Sequence, residues 1–177
     1  SLFAVLIAAV SFSGCATMVD PASGALTDAE ITQIVLTANQ GVIEDGQIAA
    51  ARAASDAVKG FAGMIVQDHT AANLRITELV ARAGITPVES ALSRQLAANA
   101  GRTAEAIGTW RGTEFDRIFM ETQVQLHRWF LSTIDENLIP SVRHPELRAL
   151  LEAQRGSIAV HLARAQQVRS GMLAEGH

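Results

Sequence analysis

The chain has one Cys, no Tyr, four Pro and a lone Lys, Lys59, among its 177 residues. A single Cys excludes an intrachain disulfide framework and any zinc site built from several Cys. Aromatic residues make up only 5%. Few aromatics, few Pro and abundant Ala favour helix over sheet. Basic charge is not in excess: 14 Lys+Arg stand against 18 Asp+Glu, a net charge of −4. With its Arg dispersed and not gathered in a block, the chain lacks the footprint of a nucleic-acid-binding protein, and the Arg read as a solvated face. No Gly-rich phosphate loop, dinucleotide fingerprint or nucleophile–base–orienter set occurs. What remains is room for one domain with a core, from a composition that is 49% hydrophobic.

Ser1 to Gly14 (SLFAVLIAAVSFSG) carries no charge and is almost wholly apolar or small. It is shorter than the ~20 residues that span a bilayer. It fits the apolar region of a secretory signal. Such a signal opens with Met and a basic patch, so the run reads as the later part of one. Phe12-Ser13-Gly14-Cys15 ends it with two small residues before the Cys. This resembles the lipobox of bacterial lipoproteins, with Phe12 where Leu is usual. The resemblance implies cleavage before Cys15 and lipidation of that residue, hence an envelope protein held to a membrane, the outer favoured over the inner. A small buried Cys in a frayed apolar end is the alternative. Residues 15–26 then read as the lipidated Cys and a tether, containing Pro, Gly and Ser without periodicity.

From residue 27 to 175 the pattern is helical throughout. Thr27 and Glu30 suit a capping box, with Leu26 and Ile31 as the hydrophobic staple. The stripe Ile31, Ile34, Val35, Ala38, Val42, Ile48 fades near Ala54. Ser55 can cap a second helix over Asp56–Ala83, which Gly84 and Pro87 stop. Thr86-Pro87-Val88-Glu89 suggests the start of a modest helix that Gly101 and Gly108 weaken or end. Thr113 is the expected cap of a third long helix, closed by Pro140. Pro145 opens a fourth, to about Leu173. The four helices would have about 27–29 residues and be ~40 Å long. Two tight hairpins joined by one long crossover, with a short extra helix in it, is the connectivity of a ferritin-like four-helix bundle.

Three of the five His repay arithmetic. His69 and His127 lie near the centres of the second and third helices, and His161 just past the centre of the fourth. Helices of equal length packed side by side share a midpoint height, so the three imidazoles should fall within ~3–4 Å of one level. Glu44 and Asp45 of the first helix reach a similar height, and one or the other can face inward; Glu44 is the expected fourth group. Neutral imidazoles and a carboxylate can hold one ion of iron, zinc, copper or manganese. A metal-free hydrogen-bonded layer that fixes helix register has the same pattern. Val66, Val124 and Ile158 precede the three His by three residues. The chain therefore has no Glu-x-x-His, which counts against a di-iron oxidase centre. His144 and His177 read as surface residues.

Ala62-Gly63-Met64-Ile65-Val66-Gln67-Asp68-His69-Thr70 resembles the phrase Ala-x-x-Met-x-x-Asp-His-Thr of a bacterial envelope family, domain of unknown function 4142. Phe115-Asp116 with His127 eleven residues after the Asp is similar to its second phrase, with Phe119 in place of Tyr. Glu44-x-Gly46-x-x-Ala49 and His161-Leu162-x-x-Ala165 are similar to its first and last phrases, without the usual Leu-Pro ahead of the latter. The resemblance covers about Asp28 to Val168. It implies a ferritin-like four-helix domain exported to the envelope and supplies no reaction.

Other residues have plainer expectations. Asp68 points about 100° away from His69. It is either an outer partner of a ligating His or, the favoured reading, a surface partner of Arg75 or Arg52. Asp116 reads as a structural carboxylate in the first turn of its helix. Gly41, Gly46, Gly60 and Gly63 suggest close helix approach, or a widened cavity. Trp110 and Trp129 read as core or crossover anchors. The function expected is a metal-binding, storage or sensing lipoprotein, or one with weak redox chemistry. A metal-free structural or interaction module of the envelope is the alternative, and an enzyme is not favoured.

Overall fold

The computed structural model describes residues 25–175. The signal Ser1–Gly14, the lipidation at Cys15, most of the tether and His177 lie outside the described residues. The described residues are all-helical, with no strand among them. Helix α1 spans Asp28–Arg52, α2 Asp56–Ala83, α3 Ala91–Gly108 and α4 Gly112–Thr133. A π-turn over Ile134–Leu138 carries α4 into the short α5, Ile139–Ser141, and α6 spans Pro145–Glu175.

The helix ends follow local chemistry. Thr27 Oγ1 accepts the Glu30 N–H at 3.3 Å, and Glu30 Oε2 accepts the Thr27 N–H at 3.0 Å. Both donors would otherwise be orphans of the first turn. Ser55 caps α2 through the Ala57 N–H. Gly84, left-handed at φ 67°, ends it and donates to the Val80 carbonyl.

Two side chains clamp the two hairpin turns. Asp116, buried on α4, accepts the N–H groups of Ala54 and Ser55 at 3.0 and 2.7 Å. Asp28, on α1, accepts those of Arg143 and His144 at 2.8 and 3.0 Å. Asp116 is thus structural, as expected, but serves the α1–α2 turn.

Pro140 does not close the helix. Its ring would collide with the carbonyl four residues back in a regular helix. The chain instead widens by a π-turn, in which the Ile139 N–H reaches the Ile134 carbonyl.

Helix α1 lies against α2, α4 against α6, and α2 against α6. The core is two apolar clusters. One gathers the start of α1, the ends of α2 and α4 and the start of α6, around Ile34, Ile76, Ile134 and Leu151. The other gathers the opposite ends, around Ala49, Phe61, Phe119 and Val168. Each hairpin is therefore antiparallel, and α2 and α4 point the same way.

Such a pair needs a connection that returns the full length of the molecule. Helix α3 supplies it: Leu92 and Leu96 pack on the first cluster, and Ile107 belongs to the second. Val88 donates to the Ala29 carbonyl at 3.1 Å, which pins the crossover's beginning to α1. The crossover helix is longer than expected and starts later. Residues 85–90 are not helical, in keeping with the extended bias of a residue before Pro. Ser90 and Ser93 form the capping box in place of Thr86 and Glu89. Gly101 does not interrupt α3.

Other expectations change as well. Helix α4 begins at Gly112, with Arg111 at the N-cap and no side-chain cap, so Thr113 has no capping role. Gly46 does mark close approach, since a Cβ there would meet Val66 Cγ2 at 2.6 Å and the Ala62 carbonyl at 3.2 Å. Gly41 would meet Ala100 Cβ at 3.0 Å, whereas Gly60 and Gly63 face nothing within 4 Å. Trp110 and Trp129 are exposed, not core anchors.

Candidate metal centre

A polar layer lies between the two apolar clusters. The buried members of the clusters leave residues 36–48 of α1, 66–75 of α2, 125–129 of α4 and 159–164 of α6 between them. His69, His127 and His161 sit in these intervals, each no more than 3% exposed. Their ring centroids are 5.2–5.8 Å apart, and one ligand atom from each lies within 4.8 Å of the others. The structure thus brings together the three His that the midpoint arithmetic selected.

Each ring uses one nitrogen and leaves the other bare. His69 Nδ1 is 2.8 Å from Asn39 Oδ1, His127 Nδ1 is 2.8 Å from the Gln123 carbonyl, and His161 Nε2 is 2.9 Å from Asp68 Oδ2. A carbonyl or carboxylate can only accept, so these three ring nitrogens donate. In a neutral imidazole the other nitrogen then carries a lone pair. Those atoms, His69 Nε2, His127 Nε2 and His161 Nδ1, are buried without any partner.

Burial, joined by the like charges of His127 and His161, lowers the His69 pKa to about 3. Burial likewise lowers that of His127 to about 4, against the opposing pull of its bond to the Gln123 carbonyl. Both rings are neutral at pH 7. Outer acceptors that fix the tautomer and aim the free nitrogen inward are what a metal-binding His carries.

The three bare nitrogens could together hold a metal ion. A hydrogen-bonded register layer accounts for the three ring N–H groups, each with its acceptor, but leaves the three other ring nitrogens bare. One water has two O–H groups and cannot serve three acceptors, whereas a cation can.

Glu44 does not join the cluster. It is exposed and accepts from Gln40 Nε2 at 2.8 Å. Its neighbour Asp45 takes the inward position at 2% exposure and accepts from Gln123 Nε2 at 3.3 Å. Burial is the main force raising its pKa to about 7. Asp68 pairs with His161, not with Arg75 or Arg52.

Sequence reasoning missed Asn39 altogether. Its Oδ1 takes His69 and Gln154, and its Nδ2 donates to Asn73 Oδ1 at 2.8 Å. A signal was present: Asn39 lies eleven residues after the clamp Asp28, as His127 lies eleven after the clamp Asp116.

Neither a curated protein nor a solved structure matches the chain. A family model described as Domain of unknown function (DUF4142) matches residues 14–168. The chain belongs to this family, as the Asp68-His69-Thr70 phrase implied.

Proposed function

We propose that this protein is an envelope lipoprotein whose ferritin-like bundle binds one transition-metal ion through His69, His127 and His161. The observation that carries the reading is the set of three buried ring nitrogens with no hydrogen-bond partner. Leaving such groups unpaired costs about 1–3 kcal/mol each, and a shared cation removes the cost three times over. The two antiparallel hairpins joined by a returning crossover support the ferritin-like assignment. The apolar run ending in Ser13-Gly14-Cys15 supports export and lipidation at Cys15.

Three neutral nitrogens leave coordination positions open for a further donor, and we read the role of the site as binding, storage or sensing of an ion. The absence of Glu-x-x-His in the sequence argues against a di-iron oxidase. The test is metal content by mass spectrometry after exposure to iron, zinc, copper and manganese, with His69→Ala as control. One ion per chain, lost in the variant, supports the reading; equal metal in both leaves the metal-free scaffold. Lipidation has a separate test: Cys15→Ser in the full precursor should abolish lipid labelling and membrane fractionation.

A further inference from the structure

We propose that Asp45 is the acidic member of this centre, its carboxylate supplying the fourth donor and the counter-charge for an ion held by the three histidines. The proposal rests on the metal-binding reading above.

Among the described residues only two carboxylates are buried, Asp45 and Asp116. Asp116 is engaged by two backbone N–H groups at the α1–α2 turn. Asp45 receives a single bond, from Gln123, and its Oδ1 has none. A carboxylate taken out of water with an empty oxygen is costly unless something positive answers it. Asp116 has both of its oxygens occupied, and Asp45 has only one.

Its place points at the histidines. On α1, Asn39 bonds Asn73 of α2, and Gly46 faces Ala62 and Val66. Interpolating between these contacts sets His69 level with about residues 41–43 of α1. Asp45 lies at most about one turn beyond, and helical side chains lean toward the helix N-terminus. The carboxylate therefore leans toward the histidine layer. From the other side, Gln123 joins the two groups: its amide donates to Asp45 and its backbone carbonyl holds His127.

Charge gives the reason. Three neutral imidazoles bring no charge, so a divalent ion would carry its full charge into a layer between two apolar clusters. Asp68 offers one negative charge through His161, but from a side chain that is 48% exposed. Asp45 offers a second from inside.

The test compares wild type, Asp45→Asn, Asp45→Ser and Glu44→Gln in the full chain, purified metal-free in detergent. Zn(II) affinity is measured by chelator competition, Co(II) coordination by its visible bands, and folding by thermal melts without metal. Both Asp45 variants should lose about tenfold or more in Zn(II) affinity, shift the Co(II) bands, and melt no lower than wild type. Glu44→Gln should match wild type throughout. If the Asp45 variants keep wild-type affinity and bands while His69→Ala loses the ion, Asp45 is outside the centre and the three-histidine site stands alone. Lower metal-free melting of both Asp45 variants would assign the carboxylate to the fold and overturn the proposal. If wild type binds neither Zn(II) nor Co(II), both readings fall together.

Discussion

Asp68 Oδ2 accepts the Nε2–H of His161 at 2.9 Å, joining a side chain that is 48% exposed to one that is 2% exposed. The bond crosses from solvent into the polar layer and turns His161 Nδ1 away from the carboxylate. An Asp on α2 thereby aims a His on α6, although its chain neighbour His69 belongs to the same cluster.

Replacing Asp68 with Asn should weaken metal binding while sparing the fold. The pair is half in water, so its share of stability is below about 1 kcal/mol. Its share of ligand orientation and basicity is larger, about 10–100-fold in affinity. Chelator competition and a thermal melt on the same sample separate the two. An unchanged affinity would show that His161 needs no outer partner.

The metal-free protein should lose stability as pH falls from about 6.5 to about 4. In that window unfolded His69 and His127 are protonated and the folded rings are not, since their pKa values drop from 6.5 to about 3 and about 4. Asp45 acts oppositely: its folded carboxyl stays protonated up to about 7 while the unfolded one ionises near 3.8. Unfolding then takes up two protons and releases one, and a net uptake makes acid destabilising. Asp45→Asn removes the opposing proton, so its stability should fall about twice as steeply and be higher than wild type above pH 7. Urea unfolding across pH 4–8 measures both slopes.

The hairpin clamps should matter for folding alone. Asp116→Ala leaves the Ala54 and Ser55 N–H groups without their acceptor. The expected loss is about 2–4 kcal/mol, from roughly 1–3 kcal/mol per unsatisfied group with partial rescue by water. Metal affinity of the folded fraction should not change, because the clamp sits about 16 Å along α4 from His127. Urea denaturation and metal titration test the two halves of this statement.

The glycines divide by environment. Gly46→Ala puts a Cβ at 2.6 Å from Val66 Cγ2 and should destabilise by about 1–3 kcal/mol, forcing α1 and α2 apart. Gly60→Ala meets nothing within 4 Å and should stabilise by about 0.5–1 kcal/mol through helix propensity. Thermal melts of the two variants should move in opposite directions.

Much of the fold was legible because it is set locally. Thr27 with Glu30, Ser55 and Gly84 end their helices by hydrogen bonds within a few residues, so spacing suffices to read them. The coincidence of His69, His127 and His161 was legible because helix length alone fixes the midpoint height. Other features depend on partners far along the chain. Helix α3 survives Gly101 because it packs along α1, where Gly41 meets Ala100. Glu44 and Asp45 are about 100° apart on one helix, and the choice between them waits on Gln123, 78 positions away in sequence. Asp68 finds His161 by the same long reach, at 93 positions. Such pairs leave no periodic trace in the sequence.

X-ray absorption at the zinc edge of the Zn(II)-loaded chain reads directly which atoms hold the ion. Outer-shell imidazole scattering from three histidines is expected, with nitrogen at about 2.0–2.1 Å, and its reduction in His69→Ala. A shell of oxygen ligands without imidazole scattering would contradict the three-histidine site.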